Sequence, residues 1–229
     1  MHYFDRGHLP RFGDIGKGSP ELARSFFAWY GLATGPGALP VSTKCLIGLA
    51  VAHALPCVYC IEAYTSNCLE NGQDLEQMTE AVQVAAAVKA ISTVSHALQM
   101  LQHAQASSMG GGPGAVPPAY YDRSQATNLP ALHAVTPATS AALQDWTTLA
   151  LAPDALSSLD KQLIAVAVAH VLQCPYSIER YTSGALKFHA SLAQLTEAVQ
   201  VAAAIRGGAA LVTGVQMVDQ ALASSMGPA

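Results

Sequence analysis

Charge is scarce in this chain. Of its 229 residues only 11% are Asp, Glu, Lys or Arg, and they sum to a net charge of −4. A weakly charged, slightly acidic chain has no basic footprint for nucleic acid, which excludes that class of partner. A clean apolar run long enough to span a bilayer is also missing: residues 46–55 are apolar but too few, and His53 interrupts them, so no membrane role is expected. The first residues, Met1-His2-Tyr3-Phe4-Asp5-Arg6, lack the basic start and apolar run of a signal peptide. Period-two alternation bounded by hairpin turns is absent, which argues against sheet. Cysteine is sparse and odd in number, at five. A reduced cytoplasmic setting is therefore expected, with thiols kept for chemistry or packing rather than as staples.

What the chain does have is a repeat. Adding 117 to a position in the first half finds its partner in the second: Asp5 and Asp122, Arg6 and Arg123, Pro20 and Pro137, Trp29 and Trp146, Lys44 and Lys161, His53 and His170. Residues 79–87 (TEAVQVAAA) recur without change as 196–204. The chain thus divides into units 1–109 and 118–229, with the Gly/Pro-rich stretch 110–117 as linker. About half the residues are apolar, enough for a substantial core and for further burial in an oligomer.

Each unit reads as helical, so the fold class is all-α. Ser19-Pro20-Glu21 is a start signal, for a helix expected to stop near Gly31. A second helix is expected from about Ser42 until Pro56 breaks it, and a third from about Cys57 to Asn71-Gly72. Asp74 with Gln77, and Ser191 with Gln194, resemble capping boxes that open a fourth helix in each unit.

The chemistry centres on Cys57-Val-Tyr-Cys60. Two cysteines three apart in the first turn of a helix are close enough for a disulfide, and the helix N-terminus favours a thiolate. Such a pair can exchange with another disulfide, or one thiol can be oxidised to sulfenic acid and the other resolve it. The repeat of this run is Cys174-Pro-Tyr-Ser177, where serine has replaced the second sulfur, so the second unit should be unable to form the local disulfide. The competing readings are buried small apolar residues, or part of a zinc or other soft-metal site (arsenite among them) completed by His53 or Cys68. A non-catalytic ring scaffold is a further alternative. His53, four residues before Cys57, is a candidate proton carrier or a satisfied core histidine. Glu62 is a candidate proton-relay carboxylate and Tyr64 its hydrogen-bonding partner, or both are packing residues. His96 is expected at the surface, and Cys45 and Cys68 as buried bystanders.

These residues carry a family resemblance. The runs Phe26-Phe27-Ala28-Trp29-Tyr30, Ala50-Val51-Ala52-His53-Ala54 and Cys57-x-x-Cys60-Ile61-x-Ala63-Tyr64-Thr65, followed by the alanine-rich repeat helix, resemble the carboxymuconolactone decarboxylase and alkylhydroperoxidase D-like superfamily. The likeness is greatest to its arsenosugar biosynthesis-associated peroxidase-like members, and it covers the chain twice. The resemblance implies an all-helical fold that assembles into six-unit rings, here a trimer of two-unit chains. It implies a thiol-dependent peroxidase or disulfide oxidoreductase with no metal or organic cofactor, acting on peroxide or another small oxidised substrate and restored by a thioredoxin-like or dithiol reductant. It also assigns Cys60 as the attacking sulfur and Cys57 as resolver, whereas the dipole argument alone favours Cys57 as the reactive thiolate. The superfamily's relay glutamate and histidine fall at Cys45 and Tyr64 here, so His53 and Glu62 would have to replace them.

Overall fold

The computed structural model describes residues 4–108 and 121–225, and among them there is no strand. The linker expected at 110–117 lies outside the described residues. Each unit opens with a capped turn. Asp5 Oδ1 accepts the Gly7 N–H at 2.9 Å, and Asp122 Oδ1 accepts the Ser124 N–H at 2.9 Å, which accounts for the repeated aspartates. In the first unit, short 3-10 turns at Arg6–His8 and Phe12–Lys17 lead into α1 (Pro20–Thr34), α2 (Val41–Ala54), α3 (Val58–Glu70) and α4 (Leu75–Ser108). The second unit has a 3-10 turn at Arg123–Asn128, then α5 (Leu129–Val135), α6 (Pro137–Leu151), α7 (Ser158–Val171), α8 (Pro175–Lys187) and α9 (Leu192–Ser225).

Most boundaries follow the local signals. The capping boxes form: Asp74 Oδ1 accepts Gln77 N–H at 2.8 Å while Gln77 Oε1 accepts Asp74 N–H at 3.1 Å, and Ser191 with Gln194 repeat the exchange. One boundary differs from expectation. Helix α1 runs through Gly31 to Thr34, because a single exposed glycine costs a helix only about 1 kcal/mol, and the stop comes at Gly35-Pro36.

The two units clasp each other. Helices α2 and α7 are apolar on nearly every face and lie side by side at the centre, each also packed on the helices of its own unit. Ile47, Val51, Ile164 and Val168 there have no solvent exposure, and burying each contributes roughly 1.5–3 kcal/mol. The 34-residue helices α4 and α9 reach across: α9 covers α1, α3 and the first unit's opening turns, and α4 covers α5, α6 and α8. Both long helices are long and apolar enough to cross a membrane by length and composition, which the sequence reading did not register. Much of that apolar surface is instead the seam between the units: 44% and 39% of the two apolar windows are buried inside the fold.

Charge locks the clasp. Lys44 is nearly fully buried, and its Nζ donates to the Gly35 carbonyl at 2.7 Å and to Glu197 of the second unit at 3.0 Å. Lys161 mirrors it, donating to Glu80 of the first unit at 3.1 Å. Burial alone would raise the Glu197 carboxyl. The N–H groups of Ala38 and Leu39 and the Lys44 ammonium outweigh it and hold Glu197 below the usual carboxylate range.

Candidate active site

Cys57 is the N-cap of α3, in extended backbone conformation, and its sulfur accepts the N–H of Cys60 at 3.3 Å. The helix therefore offers an amide donor and its positive end to this sulfur. Cys57 and Cys60 are joined as a disulfide, with Cα atoms 5.3 Å apart. Both are nearly buried, each 8% exposed. In the second unit Cys174 also N-caps its helix, but its sulfur accepts no capping bond. There Ser177 takes the place of Cys60 and shares a 2.8 Å hydroxyl hydrogen bond with Ser92 of α4.

Cys60 lines a small, mostly apolar cavity of about 70 Å³. Its walls come from both units: Leu9, Phe12, Tyr30, Tyr59 and Tyr64 from the first, and Ile205, Gly208 and Val212 of α9 from the second. That volume is room for roughly two water molecules. Helix α9 packs closely here: a Cβ at Gly208 would lie in ordinary van der Waals contact with the Tyr30 ring at 3.4 Å and Phe12 at 3.8 Å. Tyr59 also borders a larger outer cleft of about 500 Å³, lined with Phe4, Arg6, Val58, Glu62 and Thr65. The tyrosine ring thus stands between the inner cavity and the open cleft.

The structure separates the five residues singled out from sequence. Cys57 and Cys60 are bonded to each other. Tyr64 is buried on the cavity wall, and its hydroxyl bonds Tyr30 at 2.7 Å rather than Glu62. Burial pushes the Tyr64 phenol far above its ordinary value and raises Tyr30 as well, so neither ionises near neutrality. Glu62 is exposed in the outer cleft, 3.5 Å from Arg6. His53 lines a different groove with Leu49, Thr65, Met78 and Gln83, its Nδ1 2.9 Å from the Leu49 carbonyl; His170 makes the same bond to Val166 at 2.8 Å. Neither His53 nor Glu62 lines the Cys60 cavity.

Cys45 and Cys68 are buried, and burial raises both thiols, Cys68 to about 12. Among the described residues no group of three or more His, Cys, Asp or Glu side chains is placed to hold a metal ion. His96 is half-buried rather than on the surface, against the ring of Tyr121 on the second unit's side.

Sequence reasoning missed His8 and Asp219. His8 Nδ1 lies 3.0 Å from the Tyr59 hydroxyl, and its Nε2 lies 3.3 Å from Asp219 Oδ2 on α9. Arg11 holds Asp219 with two hydrogen bonds at 2.6 and 3.0 Å, and these keep the Asp219 carboxyl below the usual range. The signal that could have found them was the repeat itself. Position 8 pairs with Gln125 and position 219 with Gln102, so both differ between the units, as Cys60 and Ser177 do.

Comparison with known proteins places this geometry. Residues 20–103 and 137–220 each match the Carboxymuconolactone decarboxylase family. The chain belongs to that family. The two matched stretches carry the same 117-residue offset as the sequence repeat, so the tandem duplication and the all-helical fold are both borne out. A crystal structure from Burkholderia xenovorans, described as a candidate gamma-carboxymuconolactone decarboxylase subunit, superimposes with a TM-score of 0.73 over 96% of both chains at 16% identity, which is a likeness of fold. A protein of Paracoccus denitrificans named "Uncharacterized protein 4 in cox locus" is 54% identical over 59 residues, 26% of this chain and 53% of its own length. An uncharacterised protein of Cupriavidus necator is 31% identical over 106 residues, 46% of this chain and 75% of its own. The match thus spans about half the length of the Paracoccus relative.

Proposed function

We propose that this protein is a thiol-dependent peroxidase or disulfide oxidoreductase that works through a Cys57–Cys60 dithiol/disulfide cycle. The observation that carries the reading is a helix-capping disulfide whose Cys60 side opens on a cavity sized for a very small molecule. The family includes peroxidase-type members, which supports the same reading.

In the reduced protein the Cys60 amide favours the Cys57 thiolate. That thiolate takes the Cys60 proton as the Cys60 sulfur attacks one oxygen of a peroxide. An S–O bond forms, the O–O bond breaks, and the departing alkoxide or hydroxide takes up a proton. Cys57, again deprotonated, attacks the sulfenic sulfur. The S–S bond forms, the S–O bond breaks, and hydroxide leaves to become water. Two thiols and one peroxide become one disulfide, one alcohol or water, and one water. An external dithiol or thioredoxin-like protein returns the two electrons by thiol–disulfide exchange. No metal or organic cofactor enters the cycle.

The reading also takes the chain to be cytoplasmic and to assemble as three copies. Large apolar side chains are exposed at matching places of both units, Leu32 with Leu149 and Leu75 with Leu192, each at least 72% exposed. Single exposed leucines are ordinary, but the same ones uncovered twice support a repeated contact.

The test is direct. Reduced protein mixed with one equivalent of hydrogen peroxide should lose two thiols, and the loss should map to a disulfide in the peptide holding Cys57 and Cys60. An unchanged thiol count overturns the reading.

A further inference from the structure

We propose that Asp219, His8 and Tyr59 form a proton relay that serves the leaving oxygen at the Cys60 cavity, an arm of the site contributed jointly by the two units. The proposal rests on the peroxidase reading above and names the groups that supply its proton.

The two contacts of His8, a 3.3 Å ion-pair approach to Asp219 and a 3.0 Å hydrogen bond with Tyr59, assign its tautomer. A carboxylate only accepts, so the His8 nitrogen beside Asp219, Nε2, carries a proton. In the neutral imidazole Nδ1 is then the acceptor, and the Tyr59 O–H donates to it. In the imidazolium, stabilised by Asp219, Nδ1–H donates to the phenol oxygen and leaves the phenol proton free to point elsewhere. Tyr59 lines the cavity together with Cys60, so its hydroxyl proton can pass to the oxygen released from the peroxide while His8 replenishes it. Arg11 binds Asp219 through both guanidinium nitrogens and is itself tied to Asp14, which keeps the carboxylate ionised and oriented. His8 is mostly buried, with 14% of its side chain exposed, as a relay shielded from bulk water requires.

The second unit is an internal control. Its tyrosine is retained as Tyr176, but that hydroxyl donates to the backbone carbonyl of Asp122 at 3.3 Å. The positions of His8 and Asp219 are occupied there by Gln125 and Gln102, neither of which exchanges protons. The Gln102 side-chain oxygen is buried without a hydrogen-bond partner. The acid–base pair survives beside the intact dithiol and is lost beside Ser177.

Leaving-group dependence tests the relay. Reduced wild-type protein, His8→Gln and Tyr59→Phe are reacted with ethyl hydroperoxide, whose alkoxide needs a proton to depart, and with peracetic acid, whose acetate does not. Both variants should react about 100-fold more slowly with ethyl hydroperoxide, while their rates with peracetic acid stay within about threefold of wild type. Equal losses with both oxidants would mean a damaged site and overturn the relay. So would full activity with ethyl hydroperoxide in His8→Gln. If the wild type consumes neither oxidant, the peroxidase reading fails and takes the relay with it. Asp219→Asn keeps the shape of the contact and should lose rate with ethyl hydroperoxide alone.

Discussion

The sulfur of Cys57 accepts the backbone N–H of Cys60, so the residue that caps α3 is half of the disulfide that follows. A capping sulfur is favoured as thiolate, and this bears on which cysteine ionises first. In reduced Cys60→Ser the remaining Cys57 should show a thiol pKa below the ordinary value of about 8.5. Alkylation at neutral pH followed by mass spectrometry should label Cys57 in that variant faster than Cys60 in Cys57→Ser. Cys45 and Cys68, raised by burial, should stay unlabelled while the fold is intact.

The pair formed by Lys44 and Glu197 should respond to both mutation and acid. Glu197→Gln leaves an ammonium that is only 2% exposed with its carbonyl partners but no counter-charge, at a cost near the low end of the roughly 3–5 kcal/mol for breaking a buried pair, since Glu197 itself is a quarter exposed. Because the folded Glu197 lies below its ordinary value of 4.5, its contribution is complete above that value and is lost as pH falls through the folded one. Thermal melts from neutral pH down to about 3 should therefore fall less steeply in Glu197→Gln than in wild type.

Packing around Tyr64 should tolerate no added methyl. A Cβ at Gly48 would run into the Tyr64 ring, which is itself buried. Gly48→Ala should destabilise by about 1–3 kcal/mol and shift the ring that lines the Cys60 cavity. Denaturant melts measure the first effect, and the rate of peroxide consumption measures the second.

Restoring the lost sulfur should yield a bond without an activity. Ser177→Cys places a thiol three residues after Cys174 in the same helical turn, but it forfeits the hydrogen bond to Ser92 and gains no acid–base pair. Mass spectrometry of the oxidised variant should find a second disulfide. Peroxide turnover per chain should not rise above wild type.

Assembly should depend on the matched leucines. Light scattering of the wild type should give three chains, and Leu32→Glu combined with Leu149→Glu should give one. A monomeric wild type at micromolar concentration would refute the assembly.

Much of this was legible from sequence because the signals are local. Caps, helix stops and the Cys-x-x-Cys spacing are set within a few residues, and the repeat supplied its own alignment. The contact between His8 and Asp219 was not legible. His8 and Asp219 meet only because α9 crosses onto the first unit, and no pattern in either segment announces that crossing. His53 shows the reverse error: proximity in sequence to Cys57 suggested a partnership, but its ring sits in another groove. Tyr64 was singled out, yet its partner Tyr30 belongs to a separate helix whose position only packing reveals. Helix α1 ends at Thr34 rather than at Gly31, because a lone exposed glycine marks a stop in sequence but is merely tolerated within the helix.

The reciprocal roofing by α9 and α4 has an evolutionary corollary. Two identical subunits related by a dyad must carry identical roofs, so any change above one pocket is imposed on the other. Joining the copies in one polypeptide lifts that constraint. One roof can keep an aspartate while the other drifts to glutamine, and two once-identical halves can diverge.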